Sequence, residues 1–332
     1  MKIQLSHIFD DIVSIENLLQ AWEEFIKGKR NKKDVQEFAL RLMDNILTLH
    51  NDLVNHTYKH NQYQAFHIQG PKPRIIHKAQ VGDRLLHHAI HRLLYPFFDK
   101  TFVAYSFSCR LGKGTHKALN CFRGISRHVS ANNTKSCWVL KGDIKKFFAS
   151  IDHNILIEIL KSYIPDENIM WLLYQVIESF DSGKRGVGLP LGNLTSQLFA
   201  NIYLNEFDQF IKHKLKLKHY IRYADDFVIL ADNKTYLKNQ VNHIQSFLAI
   251  RLRLTLHPQK IFLQTLASGV DFLGWVHFPK HMVLRTSTQR RMMRGIIARP
   301  KLSTLNSYLG LLGHGNGYKI RQKVLKQFTI RQ

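Results

Sequence analysis

The sequence predicts a mixed α+β fold in which helical segments flank a central sheet. Apolar residues recur every three or four positions over 8–27 and 33–55, as on one face of a helix. Short apolar strands dominate the region 136–285, and residues 287–330 are again largely helical. Hydrophobic residues make up 45% of the 332 residues, which indicates a packed core rather than disorder.

The N-terminal region is predicted to contain two amphipathic helices, over 8–27 and 33–55. Short strands are predicted at 66–68 and 74–78. Asp83 is a good N-cap residue, so we expect a helix to begin there and to end near Phe98.

The central region is predicted to alternate strands and helices. Asp152 is expected to cap a helix over 153–161 rather than to bind metal. The other predicted elements are a strand at 138–143, a long helix at 193–216, a hairpin within 219–230, a helix near 236–250, and strands at 260–266 and 270–273. A mixed sheet covered by helices accommodates this order.

Three carboxylates stand out within these strands. Asp225 and Asp226 are predicted to lie in a tight turn between two apolar strands, and Asp143 ends another apolar strand. Adjacent carboxylates repel each other unless a cation offsets their charge, although Asp is also common in solvated turns. Three carboxylates at the ends of separate strands can hold two Mg²⁺ ions about 3.5–4 Å apart, so the sequence predicts such a site.

The charge balance favours a nucleic-acid partner over a generally basic surface. Lys and Arg number 48 against 24 Asp and Glu, a net charge of +24, and residues 272–332 contain twelve Lys or Arg and no acid. No apolar stretch approaches the roughly 20 residues of a membrane span, so no membrane association is expected. The three cysteines lack CxxC spacing and indicate reduced thiols and a cytoplasmic location.

Six motifs in a fixed order resemble those of the reverse transcriptases over roughly residues 65–315. The motifs are a fingers strand at 71–76 (PKPRII), palm motif A at 141–148 (KGDIKKFF), motif B at 188–197 (GLPLGNLTSQ), motif C at 223–226 (YADD), the motif D lysine at Lys260, and a primer grip at 270–275 (VDFLGW). Any one of them is weak evidence, but six in the right order and spacing are strong.

The resemblance implies a right-hand polymerase of the α+β class with fingers, palm and a short helical thumb. An N-terminal helical extension over 1–60 would precede fingers at 61–135. Three roles are open for its two predicted helices: a template-binding extension, a docking surface, or a support for the fingers. The palm, with part of the fingers, would span 136–285, and the thumb 286–332.

The resemblance also implies a catalytic centre that binds two Mg²⁺ ions. Asp143 and Asp225 would bridge both ions, with Asp226 and the main-chain carbonyl of Ile144 as further ligands. Lys260 would protonate the leaving pyrophosphate, although a surface lysine is an alternative interpretation.

Five residues are expected to contact the incoming nucleotide. Lys72 and Arg74 alternate with a proline on one strand, so both side chains would reach the triphosphate from one face, unless they form a solvated edge. Phe148 stands where the family has the aromatic residue that excludes a ribose 2′-hydroxyl. Leu191, beside Gly192, replaces a glutamine whose amide contacts the nucleotide in many relatives; a core leucine is the alternative.

The primer and template strands are expected to meet two further features. One is the primer grip. The other is the basic thumb, which would contact the duplex backbone. The residues assigned to these roles are Phe272, Leu273, Gly274, Arg290, Arg291 and Arg294.

Motif B is similar to that of the enzymes of diversity-generating retroelements. It contains Pro-Leu-Gly and Ser-Gln where most group II intron enzymes have Pro-Gln-Gly and Ser-Pro. This resemblance implies a bacterial or phage-encoded enzyme that uses dNTPs to copy a template-repeat RNA into cDNA, with errors at template adenines. The RNA/cDNA duplex and a small basic accessory variability protein would be its partners. Alternatives are a group II intron or retron enzyme, or an antiphage protein with a reverse-transcriptase-like scaffold.

Overall fold

The structure is a computed structural model that describes residues 3–69 and 73–330. Lys72 therefore lies outside the described residues. The helices are α1 Phe9–Val13, α2 Ile15–Phe25, α3 Lys33–Ala39, α4 Leu42–Val54, α5 Val81–Asp99, α6 Thr115–Val129, α7 Phe147–Ser150, α8 His153–Lys161, α9 Glu167–Ile177, α10 Leu194–Gln209, α11 Lys234–Leu252, α12 Thr286–Ala298, α13 Leu302–Leu312 and α14 Tyr318–Thr329.

The strands are short, and most belong to the second half of the chain. They are β1 Gln64–Ile68, β2 Arg74–Lys78, β3 Ser106–Phe107, β4 Trp138–Asp143, β5 Tyr220–Tyr223, β6 Asp226–Ala231, β7 Phe262–Thr265, β8 Val270–Phe272, β9 Trp275–His277 and β10 Met282–Leu284. A π-helical turn, Phe210–Lys214, continues α10, and a 3₁₀ turn, Pro258–Lys260, precedes β7.

The mixed α+β class is confirmed, with corrections to three predicted helices. The first predicted helix is divided at Ser14, whose extended backbone and hydroxyl cap α2 by accepting a hydrogen bond from the Asn17 amide. The second is divided near Arg41. The predicted cap at Asp83 is wrong, because α5 begins at Val81 and the buried Asp83 carboxylate instead accepts a hydrogen bond from the Tyr58 hydroxyl at 2.7 Å.

The predicted cap at Asp152 is confirmed. Its carboxylate accepts a hydrogen bond from the Ile155 amide at 3.2 Å at the start of α8, and it also pairs with Arg253. These two contacts account for the carboxylate as a structural group.

The chain divides into two compact units. The first consists of residues 1–104, 144–214 and 245–256, and the second of residues 105–143, 215–244 and 257–332. In the first unit, α5 packs against α2 and α10, and β1 and β2 form a separate antiparallel ribbon. The assignment of fingers, palm and thumb to particular segments stays a prediction.

The second unit is built on a five-stranded mixed sheet. The strand order is β3-β5-β6-β4-β7, and every neighbouring pair is antiparallel except β3 with β5. Helix α6 packs against β5 and β6 and buries Leu119 and Phe122. Because β6 pairs with β4 along its whole length, Asp226 lies directly opposite Asp143.

A smaller antiparallel sheet, β8-β9-β10, shares this unit's core with α12, α13 and α14. Trp275, Met292 and Phe328 are among the buried residues that join them. Within the part of the chain that the structure describes, no helix has the length and apolar character needed to cross a membrane.

Gly142 offers a test of the β4–β6 register. It pairs with the buried Phe227, and a Cβ atom at Gly142 would lie only 2.3 Å from that ring. We expect Gly142→Ala to lower the free energy of unfolding by about 1–3 kcal/mol, because the ring has to move within a packed core. Urea denaturation would measure the change.

Gly124→Ala is the matched control, since no heavy atom lies within 4 Å of the position its Cβ would take and the residue lies inside α6. It should leave stability unchanged or raise it by about 0.5–1 kcal/mol. Equal stability of the two variants would contradict the β4–β6 packing described here.

Candidate active site

The β5–β6 hairpin carries two of the predicted carboxylates, one in its turn and one at the start of β6. Tyr223 pairs with Asp226, so Ala224 and Asp225 alone form the turn. The sequence placed both carboxylates in the turn, whereas Asp226 is the first residue of β6. Ala224 has a φ of 52°, a left-handed backbone that an alanine adopts at a cost.

The third carboxylate meets this hairpin across the sheet. Asp143 is buried at the end of β4 and lies directly opposite Asp226 in the β4–β6 pair. Burial raises the pKa of Asp226 to about 6; the Lys141 ammonium opposes this rise, and the carboxylates of Asp225 and Asp143 add to it. The arrangement therefore concentrates negative charge where water screens it poorly.

Lys260 supplies positive charge to this cluster. Its ammonium lies 2.7 Å from Oδ1 of Asp143, and the 3₁₀ turn that carries it follows directly after His257. The His257 amide donates a hydrogen bond to the main-chain carbonyl of Asp143 at 2.8 Å, which holds this turn against the end of β4. Sequence reasoning placed Lys260 in the site, and the structure brings it to a predicted metal ligand.

Two residues that sequence reasoning missed support the site. Arg222 is buried and donates hydrogen bonds to the carbonyl of Ala224 at 3.1 Å and to Oγ of Ser106 at 2.8 Å. Lys141 donates to the carbonyl of Asp271 at 2.9 Å and so joins β4 to β8. The available signal was a charged residue within each apolar strand, since such a residue needs a buried partner.

The chemistry of the cluster fits a divalent cation, although its side chains do not enclose one. Among the described residues, no three His, Cys, Asp or Glu side chains are arranged to bind a metal ion as they stand. The donors are all carboxylate oxygens, which Mg²⁺ prefers. Burial first, and then the neighbouring carboxylates, raise the pKa of Asp226.

Four predicted nucleotide-binding residues, Arg74, Phe148, Leu191 and Gly192, are described by the structure and lie in the first unit, where the segments that carry Arg74 and Leu191 meet. The His77 amide on β2 donates to the carbonyl of Leu191 at 3.2 Å, and Asn193 donates to the carbonyl of His77 at 3.4 Å. Gly192 has a φ of 108°, and a Cβ there would lie 2.9 Å from Ile76. Only glycine fits this close approach readily. The ribbon that carries the exposed Arg74 is thus fixed to the Leu191 turn.

Leu191 and Phe148 are both partly exposed. The carbonyl of Phe148 accepts a hydrogen bond from the Leu189 amide at 2.8 Å, while the neighbouring Phe147 is buried and meets the Phe148 ring edge-on. Phe147 is therefore the core residue, and Phe148 has a face available to a ligand. Ile144 directly follows Asp143 and forms a β-bridge with Leu256. The role of its carbonyl stays a prediction.

The predicted primer grip is a two-residue turn between β8 and β9. Leu273 and Gly274 both have positive φ, at 50° and 87°. The Phe272 side chain is buried against Phe122, so the turn presents Leu273 and Gly274 rather than that ring. In the same unit, the exposed arginines of α12 share the face opposite buried Met292; they are Arg290, Arg291 and Arg294.

Comparison with known proteins shows which protein family this chain is similar to. A sequence profile described as "Reverse transcriptase (RNA-dependent DNA polymerase)" matches residues 67–277. Protein YkfC of Escherichia coli is 24% identical over 261 residues, and the group II intron-encoded protein LtrA of Lactococcus lactis subsp. cremoris is 32% identical over 141 residues. An apo telomerase from Candida tropicalis, truncated from its C-terminal domain, has a TM-score of 0.50 at 14% identity, which supports the fold.

These matches cover parts of each protein. The alignment with YkfC spans 68% of this chain and 66% of YkfC, and that with LtrA spans 41% of this chain and 22% of LtrA. The telomerase match covers 71% of this chain and 59% of the telomerase chain.

Arg222 is predicted to hold the hairpin turn. We expect Arg222→Met to lower the free energy of unfolding by about 1–3 kcal/mol, because it leaves the Ala224 carbonyl and the Ser106 hydroxyl without this donor. Backbone amides of residues 223–226 should also exchange hydrogen faster than those elsewhere in β6. Arg251→Met, at an exposed position of α11, is the control and should change neither measurement. Unchanged exchange in Arg222→Met would remove Arg222 from the site.

Proposed function

The chain belongs to the reverse transcriptase family, and from this premise we propose that it is an RNA-directed DNA polymerase that extends a primer with dNTPs on a template RNA. The observation that carries the proposal is the pairing of Asp143 with Asp226 across β4 and β6, beside Asp225 in the turn. Like charges at the end of a sheet, one buried and two half-buried, suit a cation-dependent reaction on a polyanionic substrate.

Asp143, Asp225 and Asp226 would hold two Mg²⁺ ions, with the Ile144 carbonyl as a further ligand. When bound, the ions would lower the pKa of the primer 3′-hydroxyl and offset charge on the leaving pyrophosphate. The Lys260 ammonium lies 2.7 Å from Oδ1 of Asp143, so it is held beside the predicted metal ligands. From this position Lys260 would donate a proton to the leaving pyrophosphate.

The incoming nucleotide would be bound by residues of the first unit. Arg74 and Lys72 would contact the triphosphate. The hydrogen bond from the His77 amide to the Leu191 carbonyl would hold the β1–β2 ribbon against the motif B turn. The partly exposed Phe148 ring would pack under the sugar and exclude a 2′-hydroxyl. Gly192 allows the backbone to approach closely.

The primer and template would be held by features of the second unit. The Leu273-Gly274 turn would position the primer end, with Phe272 anchoring the turn in the core. Arg290, Arg291 and Arg294 on α12 would contact backbone phosphates without reading sequence.

Within the family, we assign the chain to diversity-generating retroelements, encoded by bacteria or phages and active in the cytoplasm. The support is motif B, with Leu191 in place of glutamine and Ser196-Gln197 in place of Ser-Pro. The enzyme would copy a template-repeat RNA with errors at adenines, together with a small basic accessory variability protein. The similarity to LtrA favours one alternative, a group II intron or retron type of enzyme.

The activity is tested by primer extension on a primed RNA template. Wild type should incorporate dNTPs only with Mg²⁺, and Asp143→Ala or Asp225→Ala should each abolish incorporation because each removes a metal ligand. Asp44→Ala, at an exposed position in the first turn of α4, is the control and should retain full activity. Wild-type incorporation by either active-site variant would refute the assignment.

Leu191 tests the retroelement assignment. A lost hydrogen bond of about 0.5–1.5 kcal/mol corresponds to a roughly two- to tenfold change in discrimination. Leu191→Gln should therefore reduce misincorporation opposite adenine by about that factor while leaving synthesis intact. Sequencing of cDNA made from one adenine-rich template would measure the change.

Leu191→Met is the control, because it adds no amide and should keep the wild-type error spectrum. Identical spectra for the glutamine variant and wild type would show that Leu191 does not set fidelity.

A further inference from the structure

A cavity of about 560 Å³ opens in the second unit at the end of the β5–β6 hairpin that lies away from the catalytic turn. The turn carries Asp225, whereas Asp232 at the cavity directly follows β6. The six residues of β6 separate the two ends by roughly 17–20 Å at about 3.3 Å per residue. The His219 carbonyl accepts a hydrogen bond from the Leu230 amide at 2.9 Å and closes this end of the hairpin. The cavity is thus separate from the carboxylate cluster.

The lining of the cavity combines cations with aromatic rings. Lys216 and Lys218 are exposed on the segment that enters β5, and the His128 and His219 rings lie 5.3 Å apart. Tyr236, at the start of α11, is 44% exposed although it is a large aromatic side chain. Exposed rings beside lysines are the pattern with which proteins bind single-stranded nucleic acid, since rings stack on bases and lysines contact phosphates.

The backbone around the cavity fixes the aromatic residue in place. The Asn233 side chain accepts a hydrogen bond from the Tyr236 amide at 2.9 Å and so caps α11. Tyr236 therefore projects from a formed helix rather than from a loose loop. The segment that supplies His128, residues 100–142, contains no Asp or Glu, so the local field is positive.

We propose that this cavity is a second nucleic-acid site, which binds one nucleotide of single-stranded RNA outside the polymerase centre. The base stacks on Tyr236 and the flanking phosphates lie against Lys216 and Lys218. Asp232, the one acid in the lining, repels phosphate and accepts a hydrogen bond from the ribose 2′-hydroxyl, which distinguishes RNA from DNA. The volume lies within the range of about 300–1,000 Å³ typical of small-ligand sites.

The site would hold a length of template RNA while another part is copied. Such anchoring keeps the template at a high effective concentration near the catalytic centre. The proposal concerns binding alone, so it can be tested whether or not the chain polymerises DNA.

The test is fluorescence anisotropy with a labelled single-stranded RNA 10-mer. A saturating unlabelled RNA/DNA hybrid is present to occupy the primer- and template-binding residues of the proposed polymerase centre. Wild type should still bind the 10-mer. Tyr236→Ala and the double variant Lys216→Gln/Lys218→Gln should each weaken this binding about five- to tenfold, by loss of stacking or of phosphate contacts. A 4-thiouridine 10-mer should form its photo-crosslink within residues 216–236.

Two controls isolate the cause. Tyr236→Phe keeps the ring and should bind like wild type. Lys161→Gln/Lys184→Gln removes the same charge from exposed positions of the first unit and should have no effect. Complete displacement of the 10-mer by the hybrid, or unchanged affinity in both cavity variants, would overturn the proposal. An equal loss of affinity for a DNA 10-mer of the same sequence would overturn the assignment to RNA.

Discussion

The second unit depends on one unfavourable interaction, the pairing of two carboxylates across antiparallel strands. The register of β4 with β6 places Asp143 directly opposite Asp226, and the hairpin turn adds Asp225. Like charges on directly opposite residues, partly shielded from water, destabilise the folded state unless a cation offsets them. A fold keeps such an arrangement where the charge has a use, and binding of divalent metal is the use that oxygen donors at a strand end suit best.

The surrounding residues limit the cost of that pairing. Lys260 neutralises Asp143 from the turn before β7, Lys141 favours the ionised form of Asp226, and Arg222 holds the carbonyl of the strained Ala224. Gly142 lets Phe227 cover the strand pair closely enough to fix its register. The basic residues around the carboxylates thus stabilise the hairpin.

The places of the three carboxylates on the strands and the hairpin could be predicted from the sequence because their pattern is local, whereas their role as metal ligands stays a prediction. Asp143 ends an apolar strand, Asp226 begins another, and Asp225 lies in the turn before it. Strand alternation and turn chemistry can both be read within a few residues. The helix boundaries at Ser14 and Val81 were missed because a cap depends on which side chain turns toward the backbone. The Asp83 carboxylate, predicted to be a cap, instead accepts a hydrogen bond from the Tyr58 hydroxyl.

Arg222 was missed because its partners, Ser106 and Ala224, come together only through the sheet. Phe272 likewise depends on contacts that form only in the folded protein. Its motif predicts a contact with the primer, whereas its side chain is buried in the core.

The central claim is that the carboxylate cluster binds a divalent cation, and thermal unfolding in a titration with MgCl₂ tests it most directly. Binding to the folded state alone stabilises it by RT ln(1 + [L]/Kd), about 1.4 kcal/mol at ten times Kd. The account predicts that Tm of the wild type rises with Mg²⁺ concentration and that Asp226→Asn, which removes one of the repelling charges, starts from a higher Tm and shows little further rise. An equal Mg²⁺ response in both proteins, or none in the wild type, would contradict it.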